Sequence, residues 1–443
     1  MTVIGKLSAL LVALCAASFA FAQEGAPVLR LSLAEAESLW ATHNREVRLA
    51  RSAVSGAEAD VTSAGQAPNP QVSLNVASLS PQEGVGGGGL RDKRMDSVVR
   101  VEQLIERGDK RELRSQAAEA MLKASRGDLD DTQRQQRKVL WSAYYDLLLA
   151  QERRAGAAEA ATLYGKGLAA SDIRYKAGDI SGADLGRLRI EKLRAENDAR
   201  QAQADLEKAQ IALAYLIGRE ASARRLVAAD AWPQDEAVRV APAGSATPAR
   251  RDIATTSSVP LSEAALAQRP DVRAAQARVD AAEKARDLAR ALRKRDLTVG
   301  VQFEHNQTNS PTNSFGVGVS VPLFLRHEYQ GEIARAEADL QAAREQLERV
   351  QAQALGEADQ ARADLDASRE RRQRLESGVL ADAERVAKGA ELAYAKGAMG
   401  LLDLLDARRT ARQVQLEAMA ARADYAKAVA AWRAAVAQGD GIK

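Results

Sequence analysis

The sequence predicts a mainly α-helical fold with a small membrane β-barrel, built from an internal duplication. Three observations predict this fold class. The 443-residue chain repeats its own motifs about halfway along, and long stretches carry alanine and leucine at alternating spacings of four and three. Four short segments alternate apolar and polar residues. After the apolar segment at the N-terminus, no stretch holds the roughly 18 consecutive apolar residues that a membrane helix needs.

The N-terminal segment, residues 1–22, is predicted to be a secretory signal peptide. A lysine precedes an apolar run at 7–19, and an A-x-A ending follows. Cys15 is the only cysteine and lies inside this segment. Lipid attachment at Cys15 is an alternative, but Leu14 is larger than the small residue that such processing prefers. The mature chain then has no cysteine for disulfides or thiolate metal sites.

Composition narrows the function classes. Lys and Arg number 63 against 60 Asp and Glu, a net charge of +3 that gives no broad basic field for nucleic acid. The 3 histidines are scattered without a second ligand at metal spacing, and no phosphate-binding G-x-x-x-x-G-K-[ST] loop occurs. No nucleophile–base set stands out either. We therefore expect no enzyme activity, no cofactor and no bound metal.

The duplication is clearest in a Y-x-x-G-x-x-x-x-x-D-L motif that begins at Tyr175 and again at Tyr394, 219 positions later. Segment 70–76 aligns with 295–301 at an offset of 225, so the first copy carries extra residues in the glycine-rich stretch 80–90. The predicted divisions are a signal peptide at 1–22, a first repeat at 23–218, an inter-repeat linker at 219–260, a second repeat at 261–437 and a C-terminal tail at 438–443.

Each repeat has the same order of predicted elements. The first copy is predicted to contain a helix at 33–65, strands at 72–76 and 97–103, a long helix at 111–174, a turn at Gly178 and a helix at 183–217. The second copy is predicted to contain strands at 299–303 and 315–321, a helix at 331–392, a turn at Gly397 and a helix at 401–437. The proline-containing linker has little periodicity and is expected on the surface.

The helices carry coiled-coil seams. In the helix at 183–217 the seam positions are Ala195, Ala199, Ala202, Leu206, Ala209, Leu213 and Leu216. In its repeat at 401–437 they are Val414, Ala418, Ala421, Tyr425, Ala428, Trp432 and Ala435. In the long helix of the second copy they are Ile333, Ala336, Leu340, Ala343, Leu347 and Val350. Alanine at so many of these positions lets helices approach closely. A helix of roughly 60 residues is about 90 Å long, a length that suits a periplasmic rod.

The four strands alternate apolar and polar side chains, as in Val72, Leu74 and Val76 against Ser73 and Asn75. An ordinary half-exposed sheet has the same pattern and is an alternative. In lipid, however, a sheet cannot leave its edges unpaired. Several chains would therefore pool their strands, and three chains would give a twelve-stranded barrel with an apolar outside and a polar lumen.

The duplicated half, the repeated tyrosine–glycine turn and the segments S320-V-P-L-F324 and V101-E-Q-L-I-E-R-G-D-K-R111 resemble the TolC family of outer-membrane efflux channels over essentially the whole mature chain. The last segment is similar to the heavy-metal branch, the CzcC-like outer-membrane components of cobalt-zinc-cadmium efflux. The resemblance implies a homotrimer in which a 12-stranded barrel in the outer membrane continues into a long α-helical tunnel in the periplasm.

The resemblance also implies a function, an outer-membrane exit duct of a tripartite efflux system. Substrate, most simply heavy-metal cations, would arrive from an inner-membrane pump of the RND type through a periplasmic adaptor, also called a membrane fusion protein. The turns at Gly178 and Asp179 and at Gly397 and Ala398 would be the tips that dock on this adaptor. Their glycines suit reversals that need a positive φ.

Asp403 and Asp406 match the family's acidic residues at the tunnel entrance. They lie three positions apart, on one helix face. Three chains would place a ring of six carboxylates around a narrow pore, and such rings favour cations. The alternative is a solvated face whose charge is balanced by Arg408 and Arg409.

Asp184 and Tyr394 match the positions of a latch between neighbouring hairpins. The family's second latch uses an arginine two residues after the turn glycine. Here that position holds Met399, and the partner position holds Ala183. Closure of the tips is therefore expected to be weaker or made differently.

Two other functions are compatible with the residues. One is a duct of the same family for drugs or other organic solutes. The other is a periplasmic coiled-coil adaptor or scaffold without a pore. An adaptor would have one hairpin set in β-rich domains, whereas this chain is predicted to have two hairpins and four strands.

Overall fold

The structure is a computed structural model that describes residues 28–79, 82, 84–89, 92–234, 266–307 and 312–436. The predicted signal peptide and C-terminal tail lie outside these residues, as does the linker beyond position 234. The described chain divides into two compact units. The unit called here the hairpin unit takes in residues 28–48, 133–234 and 357–436, and the sheet unit takes in 49–132 and 266–356 apart from the undescribed positions.

Helices make up most of the described chain. They are α1 Leu33–His43, α2 Arg45–Gly65, α3 Lys110–Lys176, α4 Gly182–Ile217, α5 Pro270–Ala291, α6 Gln330–Arg374, α7 Leu380–Ala395 and α8 Leu401–Val436. Helix α3 has 67 residues and is therefore about 100 Å long. None of the helices in the described ranges combines the length and the apolar character needed to cross a membrane.

Two predicted helices are interrupted. The helix predicted at 33–65 is two helices, because Asn44 has an extended backbone (φ −60°, ψ 127°) and its side-chain Oδ1 accepts a hydrogen bond from the amide of Val47 at 3.0 Å. The helix predicted at 331–392 contains a π-helical turn at Leu375–Val379. This wider turn holds Glu376, whose carboxylate accepts a hydrogen bond from Arg422 of α8 at 2.6 Å.

The first part of the predicted linker is ordered, which corrects the expectation of a surface segment. A 3₁₀ helix at Glu220–Arg225 leads into strand β4, Leu226–Ala228, which pairs in parallel with β1, Leu29–Leu31. Leu226 is fully buried. Tyr144 fixes the end of this pair, because its hydroxyl donates to the carbonyl of Leu31 (3.0 Å) and accepts from the amides that follow β4 (3.2 Å).

The sheet unit contains one antiparallel four-stranded sheet in the order β2-β3-β5-β6. Its strands are β2 Gln71–Ala77, β3 Asp96–Ile105, β5 Leu297–Asn306 and β6 Thr312–Ser320. All four strands were predicted, although Val321 falls outside β6. Strand β3 of the first repeat pairs with β5 of the second, so the two repeats meet at the middle of the sheet.

One face of this sheet is apolar and exposed. The exposed side chains include Phe315 and Val317, at 86% and 80% relative exposure, together with Val72 and Leu74. In the four described strands this face carries no Asp, Glu, Lys or Arg. The opposite face carries polar side chains and glycines. This alternation is the one predicted for strands with lipid on one side and water on the other.

The predicted coiled-coil seams are confirmed. Every predicted seam position in α4, α6 and α8 is buried or half-buried in the chain. Ala418, Ala421 and Tyr425 of α8, for example, are at most 2% exposed. Close helix packing through alanine therefore holds the helices together, as the spacing of four and three requires.

Candidate functional site

The candidate functional site lies within the hairpin unit, where α3 turns into α4 and α7 turns into α8. Both turns end their helices in the same way. Gly178 and Gly397 have left-handed backbones, with φ of +82° and +73°. The amide of Gly178 donates to the carbonyl of Tyr175 (3.0 Å), and the amide of Asp179 donates to that of Arg174 (2.9 Å). This is the Schellman arrangement, which satisfies carbonyls left free at a helix end.

The second turn repeats this geometry. The amide of Gly397 donates to the carbonyl of Tyr394 (3.0 Å), and that of Ala398 donates to Ala393 (2.9 Å). Glycine is needed at both reversals because a left-handed backbone is strained for residues with a Cβ. All four predicted tip residues are exposed. The prediction of a positive φ at both glycines is confirmed, and docking at the tips stays a prediction.

Behind the tips, the two hairpins pack on a shared apolar cluster, called here the hairpin core. It consists of Tyr164, Leu188, Ala195, Ala390, Leu401, Leu404 and Leu405, with the partly buried Ala161, Leu168, Tyr394, Met399 and Ala407 packed against it. Burial raises the pKa of the Tyr164 hydroxyl above its ordinary value. Met399 contacts this cluster and is therefore an apolar packing residue.

Asp403 and Asp406 both lie in the first turns of α8 with exposed side chains. The same turns bury Leu401, Leu404 and Leu405 in the hairpin core, so the carboxylates lie on the opposite side of the helix. Neither carboxylate forms a hydrogen bond or an ion pair with another residue in the described part of the chain. Both are thus available to a partner or to a passing ion.

The arginines that would have balanced these carboxylates are paired elsewhere. Arg408 donates to Glu391 of α7 at 2.9 Å. Arg409 donates to Glu191 of α4 at 2.5 Å, and this hydrogen bond raises the pKa of the Arg409 guanidinium. Asp406 adds only a minor electrostatic contribution to that shift. The two carboxylates thus lie on a solvated face, as the alternative requires, but Arg408 and Arg409 form their ion pairs with glutamates of other helices.

Asp184 and Tyr394 do not bond to each other among the described residues. The Asp184 carboxylate accepts from the hydroxyl of Ser181 (2.8 Å) and from Arg187 (3.2 Å). The Ser181 hydroxyl in turn accepts from the amide of Asp184 (3.1 Å) and caps α4. The Tyr394 hydroxyl accepts from Arg174 of α3 at 3.3 Å. The latch role of the Asp184–Tyr394 pair stays a prediction.

Two contacts between the hairpins were missed from the sequence. Arg174 bonds to the Tyr394 hydroxyl and lies 5.5 Å from the centre of its ring. Arg409 bonds to Glu191. Comparing the repeats could not reveal these pairs. The repeats are offset by 219 positions, and the positions that correspond to Arg174, Glu191 and Arg409 hold Ala393, Thr410 and Ile190.

In the described residues, no group of three His, Cys, Asp or Glu is placed to hold a metal ion.

The hairpin unit has long helical hairpins, and the sheet unit has a four-stranded sheet whose described strands carry no Asp, Glu, Lys or Arg on the apolar face. These features indicate an outer-membrane channel protein. Comparison with known proteins supports this class. The family model for "Outer membrane efflux protein" matches residues 38–219 and 261–438. The chain therefore belongs to the outer membrane efflux protein family, whose members are efflux channels located in the outer membrane.

Particular relatives agree with the family. The chain is 26% identical over 394 residues, covering 87% of this chain and 85% of the relative, to the cobalt-zinc-cadmium resistance protein CzcC of Cupriavidus metallidurans. It is similar to the structure of the transmembrane channel protein CusC, with a TM-score of 0.71 at 18% identity and coverage of 95% and 96%. It also resembles the outer membrane protein VceC of Vibrio cholerae, with a TM-score of 0.70 at 18% identity and coverage of 92% and 96%.

Proposed function

We propose that this outer-membrane channel protein is the exit duct of a tripartite efflux system for heavy-metal cations. It would work as a homotrimer with a periplasmic adaptor and an inner-membrane pump of the RND type. The observation that carries the proposal is the pair of exposed carboxylates, Asp403 and Asp406, beside the turn into α8. They have no hydrogen-bond or ion-pair partner in the described chain.

The carboxylates would form the entrance ring. In a trimer, three copies of Asp403 and Asp406 give six negative charges at one level of the tunnel. A ring of carboxylates lowers the energy of a cation in a narrow pore and raises that of an anion. The ion pairs of Arg408 with Glu391 and of Arg409 with Glu191 support this role, because they leave the two aspartates without an ion pair in the described chain.

The tips would be the docking sites for the adaptor. Gly178 and Gly397 have open space where a Cβ would lie, with no atom within 4 Å. A side chain of a partner could therefore reach the backbone of both turns. Asp179 and Ala398 follow these glycines and are exposed as well. Because both turns have the same backbone geometry, one adaptor surface could recognise either tip.

A small set of polar contacts would hold the hairpins together. The entrance would open when these contacts break. The contacts present in this chain are Arg174 with Tyr394 and Glu191 with Arg409. Asp184 would exchange its present partners for Tyr394 in a more tightly closed state, as the family pattern predicts. Met399 contributes apolar packing in place of a second polar latch.

The sheet favours a trimer. Strands β2 and β6 are the outer strands of the four-stranded sheet, and each has one edge without a strand partner in the described chain. Lipid does not tolerate unpaired backbone groups, so these edges must pair with strands of other copies. Three copies supply twelve strands, an even number that closes a barrel. The division into repeats at 23–218 and 261–437 is part of the same proposal, with a connecting segment at 219–260 whose first part forms the 3₁₀ helix and β4.

The substrate class rests on the name of the relative CzcC, a cobalt-zinc-cadmium resistance protein. The test is to delete the gene from its host and to measure growth inhibition by zinc, cobalt, cadmium and copper salts, and by two organic dyes. We expect the deletion to increase sensitivity to one or more metals, and the intact gene to restore resistance. Increased sensitivity to the dyes alone would instead identify a duct for organic solutes.

A further inference from the structure

The polar face of the sheet carries charge close to its middle, in a place that the entrance site does not explain. Arg100 and Glu102 lie on this face of β3, and Glu304 lies on the same face of β5. Arg100 is directly opposite Gln302 in the register, and Glu102 is opposite Gly300. The side chains of Arg100 and Glu102 are 47% and 37% exposed.

Arg100 is bonded to both of its polar neighbours. Its Nε and Nη2 donate to the side-chain oxygen of Gln302 at 3.1 and 2.6 Å. Its Nη1 donates to the carboxylate of Glu102 at 3.4 Å. The guanidinium is thus fixed by the amide and lies beside the carboxylate. The positive charge of Arg100 therefore offsets the negative charge of Glu102 on the same wall.

Two glycines provide the room for this arrangement. A Cβ at Gly316 would lie 2.9 Å from Cγ of Gln302, and a Cβ at Gly300 would lie 3.0 Å from Cγ of Glu102. Real Cβ atoms essentially never approach another heavy atom as closely as at Gly316, and they rarely do so as closely as at Gly300. The side chains of Gln302 and Glu102 hence lie over glycines of the neighbouring strands. Gly300, Gly316, Arg100, Glu102 and Gln302 line one shallow recess on the polar face.

We propose that Arg100 is a specificity-determining residue of the channel, whose charge prevents Glu102 from binding the divalent cations that pass. This inference rests on the proposed function, because it requires three chains with their polar faces toward a common lumen. Three copies of Glu102 would otherwise form a carboxylate ring in the barrel. A conduction pathway needs sites that an ion enters easily and also leaves, so a tight site at the exit would slow export.

The size of the effect follows from Coulomb's law. A single charge about 6 Å from a divalent ion changes its binding by about tenfold even in water. Removing Arg100 changes three such charges in a trimer. We therefore expect block by divalent cations to become at least about tenfold stronger when Arg100 is neutralised. The carboxylates of Asp403 and Asp406 are unchanged by this substitution, so the entrance should keep its preference for cations.

The test uses the purified full-length channel in planar lipid bilayers with monovalent salt. The half-blocking concentrations of Zn²⁺ and Mg²⁺ are measured for wild type, Arg100→Gln, Arg100→Lys and the double variant Arg100→Gln/Glu102→Gln. We expect stronger block in Arg100→Gln, wild-type block in Arg100→Lys, and loss of the added block in the double variant. If Arg100 had only a structural role, removing the negative charge of Glu102 in the double variant would not restore the wild-type block.

The inference is overturned if Arg100→Gln forms open pores with the half-blocking concentrations of wild type. If Arg100→Gln does not assemble, Glu102→Gln replaces it. Arg100 is then uncompensated, and we expect its charge to lower the cation preference below that of wild type. An unchanged cation preference in Glu102→Gln would also overturn the inference. Failure of the wild-type protein to form any pore would instead contradict the proposed function, so the two failures are distinguishable.

Discussion

The carboxylate of Glu191 in α4 lies 2.5 Å from the guanidinium of Arg409 in α8. Glu191 is only 9% exposed, whereas the Arg409 side chain is 53% exposed. Arg194 of the same helix is a second partner of Glu191, at 3.2 Å. The pair joins the first helical hairpin to the second, next to the hairpin core. It thus provides a polar contact between the two hairpins.

Neutralising this pair should weaken the contact between the hairpins. Replacing Arg409 by Gln leaves a mostly buried carboxylate with only Arg194, and a charged hydrogen bond contributes about 1.5–3 kcal/mol. Because Arg409 is half-exposed, we expect a coupling of about 1 kcal/mol in a double-mutant cycle of Glu191→Gln and Arg409→Gln. Thermal unfolding in detergent measures it. The exposed pair Asp205 and Lys208 is the matched control, with an expected coupling near zero.

The same variants should open the entrance more easily if these contacts hold it shut. Cells that produce Arg409→Gln should then become more sensitive to a large antibiotic such as vancomycin, which does not cross an intact outer membrane. Equal sensitivity to wild type, at equal channel abundance, would mean that the pair stabilises the fold without controlling the entrance.

The apolar face of the sheet should not tolerate charge. Leu74 lies on this face with 68% exposure, and Asn75 is its neighbour on the polar face. An arginine in the lipid costs about 2–4 kcal/mol near the middle of a membrane. We expect Leu74→Arg to reduce the amount of protein in the outer-membrane fraction, and Asn75→Arg to leave it unchanged. Equal yields of the two variants would contradict the assignment of the faces.

Tyr144 should make the protein sensitive to alkali. Burial raises the pKa of its hydroxyl to about 12 from an ordinary 10.0. The folded state therefore keeps this proton at a pH where the unfolded state has lost it. The resulting stability is present below pH 10, and about 2–3 kcal/mol is lost as the pH rises toward 12. Unfolding followed by circular dichroism at several pH values measures this loss.

The control is Tyr144→Phe. This variant leaves the carbonyl of Leu31 and two backbone amides without their hydroxyl partner, so it should be about 1–3 kcal/mol less stable at neutral pH. It should also lose stability less steeply between pH 10 and 12. An unchanged slope in this variant would assign the alkaline transition to other groups, such as the neighbouring Tyr145, whose pKa burial also raises.

The turn glycines should be sensitive to substitution for conformational reasons alone. Alanine at Gly178 or Gly397 meets no atom within 4 Å, but it must adopt the left-handed region at a cost of about 1–2 kcal/mol. Gly165 lies inside α3, also with no atom within 4 Å, and Gly165→Ala should instead stabilise by about 0.5–1 kcal/mol. Opposite shifts of the melting temperature are thus expected from the same substitution.

Much of the architecture was predictable because it depends on local patterns. The seams of α4 and α8, the four strands and the two glycine turns each follow from spacing and backbone preference, and the second repeat supported each element of the first. The break at Asn44 was missed because the sequence on both sides favours a helix. The pairing of Leu226–Ala228 with Leu29–Leu31 was missed because both strands have only three residues.

The contacts between the hairpins could not be predicted in the same way. Glu191 and Arg409 meet because two helices pack at a particular rotation, and many other charged residues on α4 and α8 have equally suitable spacings. Asp184 shows the converse difficulty. Its position suggested a partner on the other hairpin, but in this chain Ser181 and Arg187, both in its own turn, satisfy it. Local partners compete with distant ones.

The most direct test of the central claim is to measure ion flow through the purified protein. The account predicts a detergent-extracted trimer that forms pores in planar bilayers and passes cations in preference to anions. Asn at both Asp403 and Asp406 should remove most of that preference without preventing pore formation. A water-soluble single chain that forms no pores would contradict the account, and pores with unchanged preference in the double variant would contradict the entrance ring.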